Sequence, residues 1–471
     1  MSPIDTLLYN GLKLFSGNPI ISKLVLKTLR PKVKKFIVEK DNEGIPYTHE
    51  IKTQFLMNLL EQSLKNINKG YVSLNYLKEI ENRFVKQQLL IENHRKVSDR
   101  YLNRYGMRPP RFCTISPTQR CNLKCTGCYA SSTIETATTL DHNIFKKILT
   151  EMRDIMGSNF AVISGGEPFM YNSDGTTILD ITHHFSDMFF LIYTNGTLLN
   201  EDIIETMFYS GNVTPAISVE GYEEETDERR GKGTYKKILN SMRLLRERGI
   251  PFGISVTATK KNIDLLLGDE FYDYYFEELG ATFMWSFHLM PIGRGKNSME
   301  LMISPEERVQ LYNHWEKLLF EKKYFIGDFW NSAGASNGCI AYARPGGYCY
   351  VDWNGNIMPC VFVPYYKDNI NDLYSQNKSL ADAFQSEFFK RGRKWQSEYG
   401  SKNNPERNWL MPCSIRDHYD NFKKNIITKN IKFQDKNAEL SINDEEYYRE
   451  LVKFDKELKE KTMDIWKEKY N

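Results

Sequence analysis

The sequence predicts an α/β chain built around an open, partial (β/α)6 barrel. A helical region precedes the barrel and a small cysteine-rich region follows it. Three observations carry this. Six apolar runs rich in Val, Ile and Phe recur between residues 112 and 289. Amphipathic helical segments between them run into a glycine. Polar, glycine-bearing motifs fall at the carboxyl ends of the runs, where α/β folds keep their chemistry. Continuous apolar runs suit parallel strands buried on both faces, and strand–helix alternation implies right-handed crossovers. Six units are too few to close the eight-stranded, TIM-like barrel.

The chain has 471 residues, 41% hydrophobic and 26% charged. That is ordinary globular composition with room for two to four domains, and it excludes a disordered or collagen-like chain. Lys plus Arg is 63 and Asp plus Glu 60, a net charge of +3, so no nucleic-acid partner is expected. No apolar run approaches the ~18–20 residues of a spanning helix. The first residues lack the small-residue cleavage site of a secretory signal, so a cytoplasmic location is expected.

Residues 1–107 read as helical and lack the repeat. Residues 1–40 hold eight basic and two acidic side chains among apolar ones such as Leu7, Leu14, Leu24 and Leu29. Such a segment is either a docked helical cap with a solvated Lys face or a peripheral contact with the inner face of an anionic membrane. The barrel is expected over 108–330. Its strands are Phe112–Ser116, Phe160–Ser164, Phe189–Tyr193, Pro215–Val219, Phe252–Thr257 and Thr282–Leu289. The first helix, Asp141–Met156, sets Ile144, Ile148, Met152 and Ile155 on one face before Gly157. Gly211, Gly249 and Gly280 end later helices. Residues 331–425 form the cysteine-rich domain. Residues 426–471 alternate Lys and Glu and read as an exposed helical tail.

Eight cysteines in such a chain favour metal or redox chemistry over disulfides. Cys121, Cys125 and Cys128 directly follow the first strand, spaced x3 and x2. A structural zinc normally takes four protein ligands. Three thiolates in one loop suit a 4Fe–4S cluster whose fourth iron stays open to a ligand. Zinc and unligated buried thiols are the alternatives.

The triad resembles the CxxxCxxC signature of the radical S-adenosylmethionine (radical SAM) superfamily. Four further elements follow in order: Ser164-Gly165-Gly166-Glu167-Pro168, Tyr193-Thr194-Asn195-Gly196, Ser218-Val219-Glu220-Gly221 with Asp227-Glu-Arg-Arg230-Gly231, and Met290-Pro291-Ile292-Gly293-Arg294-Gly295. The resemblance covers about 108–325. It implies that Cys121, Cys125 and Cys128 are the catalytic cluster ligands. It implies that the Gly165–Gly166 backbone and Glu167 hold the SAM ammonium, a charge-assisted contact. Ser218 and Glu220 would touch ribose or methionine, Arg230 the carboxylate, and the turn at Gly293 the adenine; Asn195 would close the third strand at the cofactor. The family often places an aromatic before the third cysteine. Here that residue is Gly127, with Tyr129 after the cysteine.

Cys339-x15-Gly355-x4-Cys360 resembles the element that opens the auxiliary cluster domain of SPASM and twitch radical SAM enzymes. Asp352–Gly355 reads as a hairpin turn between apolar runs. Cys339, Cys349, Cys360 and Cys413 could together ligate one auxiliary 4Fe–4S cluster, with zinc or structural thiols as alternatives. The central C-x2-C-x5-C-x3-C block of a full SPASM domain is absent, so one such cluster is expected.

The resemblance implies an enzyme that reductively cleaves SAM to a 5′-deoxyadenosyl radical and abstracts hydrogen from an unactivated C–H bond. It implies a peptide or protein substrate and an electron donor such as flavodoxin or ferredoxin. The basic N-terminus raises a second candidate substrate, a membrane lipid acyl chain. The remaining alternative is a non-catalytic iron–sulfur electron-transfer or zinc-binding protein.

Overall fold

Apolar runs become strands here because burial on both faces leaves their backbone groups no partner but one another. Six parallel strands form in order: β1 Phe112–Ile115, β2 Phe160–Ile163, β3 Phe189–Thr194, β4 Val213–Val219, β5 Gly253–Ala258 and β6 Phe283–His288. The computed structural model describes residues 19–40, 44–80, 92–135 and 138–470. Each strand lies within a residue or two of its expected position.

The sheet continues past both ends of this series. β7, Ile326–Asp328, pairs parallel with β6. On the other side β8, Tyr348–Val351, pairs parallel with β1, bringing Cys113 opposite Cys349. β9, Asn356–Met358, and β10, Asp368–Asn369, follow antiparallel. The result is one ten-stranded sheet, ordered β10-β9-β8-β1-β2-β3-β4-β5-β6-β7. The β8–β9 pair is the expected hairpin at Gly355. It is built onto the barrel's first strand.

Alternation along the strands sorts side chains by face. Phe112, Thr114, Phe160, Val162, Leu191 and Tyr193 face the barrel interior. Cys113, Ile115, Ala161, Ile163, Phe190 and Ile192 join the outer core under the helices.

Helix α1, Pro19–Lys40, buries Leu29, Val33 and Ile37, the last two in a small cluster with Met57 of α2, Pro46–Asn68. Leu24 and Val38 of α1 are exposed. The apolar residues expected before Pro19 lie outside the described residues. α2 is docked by amides: Asn58 donates to the carbonyls of Leu319 and Tyr324, and Asn66 to that of Gly280. α3, His142–Asp154, is capped by Asp141 and buries Ile148 and Met152. The C-terminal helix α4, Glu445–Tyr470, is less exposed than its Lys/Glu content predicts. Tyr447, Leu451, Phe454, Leu458, Thr462, Trp466 and Tyr470 form a buried stripe at three- and four-residue spacing. No described helix is long and apolar enough to cross a membrane.

Candidate active site

A cavity of about 350 Å³ occupies the barrel interior and opens at the carboxyl ends of the strands. Cys121, Cys125 and Cys128 line it together with Ser164, Gly165, Gly166, Asn195, Ser218 and Arg230. The remaining expected site residues of the barrel, Glu167, Glu220 and Gly293, do not line it.

The cysteine loop is held through its backbone. Gly166 N–H donates to the Thr118 carbonyl at 2.9 Å and Glu167 N–H to that of Arg120 at 2.8 Å. A Cβ on Gly166 would stand 2.2 Å from the Arg120 carbonyl oxygen. The second glycine of the motif is thus required where two loops touch, besides any approach to a ligand. Arg294 donates to the Cys125 carbonyl from Nε and Nη2 and to the Ser132 carbonyl at 2.7 Å, while its N–H reaches the Cys128 carbonyl. Arg229 donates from Nε to the Thr126 carbonyl at 3.1 Å. Gly293 packs so tightly on this loop that a Cβ would lie 2.2 Å from the Tyr129 carbonyl oxygen.

The two expected carboxylates act from behind the wall. Glu167 is fully buried and accepts from Thr194 Oγ1, the Asn195 N–H and the Phe169 N–H at 2.8, 2.8 and 3.1 Å. Both of its oxygens accept from neighbouring loop groups, so Glu167 ties its own loop to the third strand's loop. Burial pushes its carboxyl up to about 7 against those hydrogen bonds. Glu220 is likewise buried. It pairs with both Arg229 and Arg230, the latter donating from Nε at 2.9 Å. Burial pulls Arg230 down, but Glu220, Cys125 and Cys121 together outweigh it and hold the guanidinium above its ordinary value. Glu220 therefore aims a permanent cation into the cavity instead of lining it. Asn195 Nδ2 donates to Asn122 Oδ1 at 2.8 Å, tying the third strand's loop to the cysteine loop. Ser218 and Ser255 share a hydrogen bond at 3.2 Å.

Burial pushes Cys121 up to about 12, and raises Cys125 against the pull of Arg230. Gly127 adopts φ +69°, and a Cβ there would meet Leu289 Cδ1 at 2.6 Å. The left-handed backbone disfavours an aromatic before the third cysteine, and any side chain there would also have to displace the Leu289 methyl group. Tyr129 also lines the cavity, its ring 5.9 Å edge-on from Phe362. Phe362 in turn meets Phe287, Phe329 and Trp330 at 5.3–5.9 Å. These aromatics from both sides of residue 330 were missed by sequence reasoning, because only the fold brings them together.

Of the four C-terminal cysteines, the structure gathers three. Cys413 is close enough for its thiol to be raised by Cys339 and Cys360, though burial is the larger cause. Cys360 Sγ accepts from Tyr348 Oη at 2.8 Å, and burial pushes this thiol up to about 12. Cys349 is corrected. It sits on β8 with its side chain on the opposite face from Tyr348, fully buried, with Sγ 3.0 Å from Cys113 Sγ. Strand alternation turns it into the helix-covered core.

A profile of the Radical SAM superfamily matches residues 115–269. The chain belongs to the radical SAM superfamily. The AdoMet-dependent heme synthase of Methanosarcina barkeri is 28% identical over 293 residues, covering 56% of this chain and 80% of that one. The sporulation killing factor maturation protein SkfB of Bacillus subtilis is 25% identical over 263 residues, covering 53% and 60%. Streptococcus suis SuiB, solved with its precursor peptide SuiA, shares the fold with TM-score 0.55 at 18% identity, over 83% of this chain and 93% of that one. The relatives of this radical SAM protein are enzymes of SPASM or twitch type, and the family binds a 4Fe–4S cluster and SAM.

Each cysteine trio of this radical SAM chain offers three thiolates, one short of the four protein ligands of a structural zinc, and suits a 4Fe–4S cluster with one iron left open.

Proposed function

We propose that this chain is a radical SAM enzyme that abstracts hydrogen from a C–H bond of an apolar side chain in a peptide. The observation that carries this is the cavity lining. Below the cysteine loop it is Phe112, Phe160, Leu191, Trp285, Phe287 and Phe329, and among the described residues the only Lys, Arg, Asp or Glu side chains in the lining are Arg229, Arg230 and Arg294. An apolar, water-excluding chamber suits an uncharged group and protects a reactive intermediate from side reactions.

In this reading Cys121, Cys125 and Cys128 hold the 4Fe–4S cluster, and cluster and SAM together supply the 5′-deoxyadenosyl radical. Arg230 faces the SAM carboxylate, fixed by Glu220. The Gly165–Gly166 backbone meets the ammonium and Ser218 the ribose. Glu167 and Asn195 position the third strand's loop, and Arg294 holds the cysteine loop. Cys339, Cys360 and Cys413 hold an auxiliary cluster. The names of SkfB, a maturation protein, and of SuiB with its precursor peptide support a peptide substrate.

The heme synthase relative favours a second reading, a tetrapyrrole substrate. Its acidic side chains would need cations of their own. In this reading Arg230 serves the SAM carboxylate, while Arg229 is held by Glu220 and the Thr126 carbonyl and Arg294 by the Cys125 and Ser132 carbonyls, so the described lining speaks for the peptide.

Reconstituted anaerobic protein, dithionite and SAM should yield 5′-deoxyadenosine. With peptides carrying perdeuterated Leu, Ile, Val or Phe, deuterium should appear in that product. Deuterium only from tetrapyrrole or lipid substrates would sink the peptide reading. No 5′-deoxyadenosine under any condition would sink the chemistry.

A further inference from the structure

Arg416 lies three residues after Cys413 and is wholly buried. Its backbone amide eases the Cys413 thiol down against the larger effect of burial. From the side chain, Nη1 donates to the Leu289 carbonyl at 2.8 Å and stands 3.8 Å from Met290 Sδ, on the wall of the cavity. Nε and Nη2 reach no acceptor among the described residues. The rings of Trp330 and Phe454 lie 5.2 Å from Cζ.

A buried guanidinium with two idle donors is costly unless an anion is near. None of the neighbouring carboxylates bonds to these two donors, although the charges of Asp417 and Asp328 favour the cation. Both oxygens of Asp417 are taken by Arg308 at 2.5 and 3.3 Å. Asp328 accepts from His288, from the N–H groups of Trp330 and Asn331, and from Asn331 Nδ2. Asp455 accepts from the Tyr419 N–H, its other oxygen is unpartnered, and burial pushes its carboxyl well above the usual range. Burial and Arg308 pull Arg416 down to about 10 against the opposing pull of Asp417, Cys413 and Asp328, and it remains a cation at neutral pH. The thiol trio of Cys339, Cys360 and Cys413 is the one neighbour that turns anionic when it binds a cluster.

We infer that Arg416 is the fixed counter-charge of the iron–sulfur cluster held by Cys339, Cys360 and Cys413, and that through Leu289 and Met290 it ties this cluster to the wall of the SAM cavity. The inference rests on the reading of that trio as cluster ligands. Net charge and hydrogen bonds to sulfur set the reduction potential of such clusters. A buried cation favours the reduced, more negative state. Arg416 is a positioning residue in this sense and touches no reacting atom.

The test uses the full-length chain carrying Cys121→Ala, Cys125→Ala and Cys128→Ala, which leaves only the second cluster to give an electron-spin signal. Arg416→Gln should make that cluster at least tenfold harder to reduce, 59 mV for one electron, and Arg416→Lys should restore most of the difference. Loss of the second cluster's iron in Arg416→Gln with retention in Arg416→Lys would also support the counter-charge. An unchanged midpoint in Arg416→Gln, or equal shifts or equal iron loss in both variants, would overturn it. If the triple variant with Arg416 intact holds no iron and gives no signal, the cluster reading itself fails.

Discussion

Cys349 lies on β8 and Cys360 two residues past β9, eleven residues apart, yet they face opposite ways. Cys349 meets Cys113 in the outer core, whereas Cys360 meets Tyr348 Oη beside the thiol trio. Replacing each with alanine separates packing from ligation. Cys349→Ala should keep the full iron complement and cost about 1–2 kcal/mol of stability, the loss of a small buried group. Cys360→Ala should remove about half of the iron. Iron and sulfide assays on both variants decide this, and equal iron loss would restore Cys349 as a ligand. A second prediction concerns Glu167. Its carboxyl rises from 4.5 to about 7 on folding, so between those values the folded chain holds a proton that the unfolded chain has released. That stabilisation is complete below about pH 4.5 and is lost as pH rises through 7, at most about 3 kcal/mol. Thermal unfolding from pH 5 to 8 should show a decline that flattens in Glu167→Gln. An identical slope in both proteins would contradict the assignment.

Elements were legible where one strand or helix carries its own signal. β1 to β6 appear as apolar runs, α3 as a stripe ending near Gly157, and the β8–β9 hairpin as turn residues at Gly355. What stayed hidden depends on contacts between distant elements. The parallel docking of β8 on β1 leaves no local mark, because a single apolar run does not name its neighbour. The same holds for Glu167 and Glu220: the motifs marked both as site residues, but only the tertiary arrangement shows them behind the wall. Spacing alone could group Cys349 with Cys339, Cys360 and Cys413, while strand alternation decides its face. The loop after β4 carries the sharpest element-level prediction. Glu220 pairs with Arg229, which holds the cysteine loop at Thr126, and with Arg230, which lines the cavity. Glu220→Gln leaves two nearly buried cations without their anion, and breaking such a pair costs about 3–5 kcal/mol. Formation of 5′-deoxyadenosine should fall at least about tenfold, while Arg294→Ala, which frees the Cys125 and Ser132 carbonyls, should lower bound iron first. Undiminished product from Glu220→Gln would separate Arg230 from the SAM carboxylate.

At the scale of the molecule, the cysteine-rich region does not stand apart from the barrel. β8 completes the hydrogen bonding of β1: Ser116 N–H donates to the Val351 carbonyl and Arg111 N–H to that of Gly347. Phe329, Trp330 and Phe362 continue the aromatic packing of Phe287 across residue 330. One connected core runs from Ile45 to Tyr470, and α4 closes it with Trp466 against Trp409. Cutting the chain after residue 330 would bare the edge of β1 and strip one wall from the cavity, which invites edge-to-edge pairing. The expected outcome is a single calorimetric transition for the whole protein and an insoluble or unfolded 1–330 fragment. Two well-separated transitions, or a soluble fragment with native-like circular dichroism, would show that the barrel folds without its C-terminal strands. A single transition would also mean that damage at Cys413 or Arg416 reaches the SAM cavity through shared packing, so activity alone cannot report on the second centre and its potential must be measured directly.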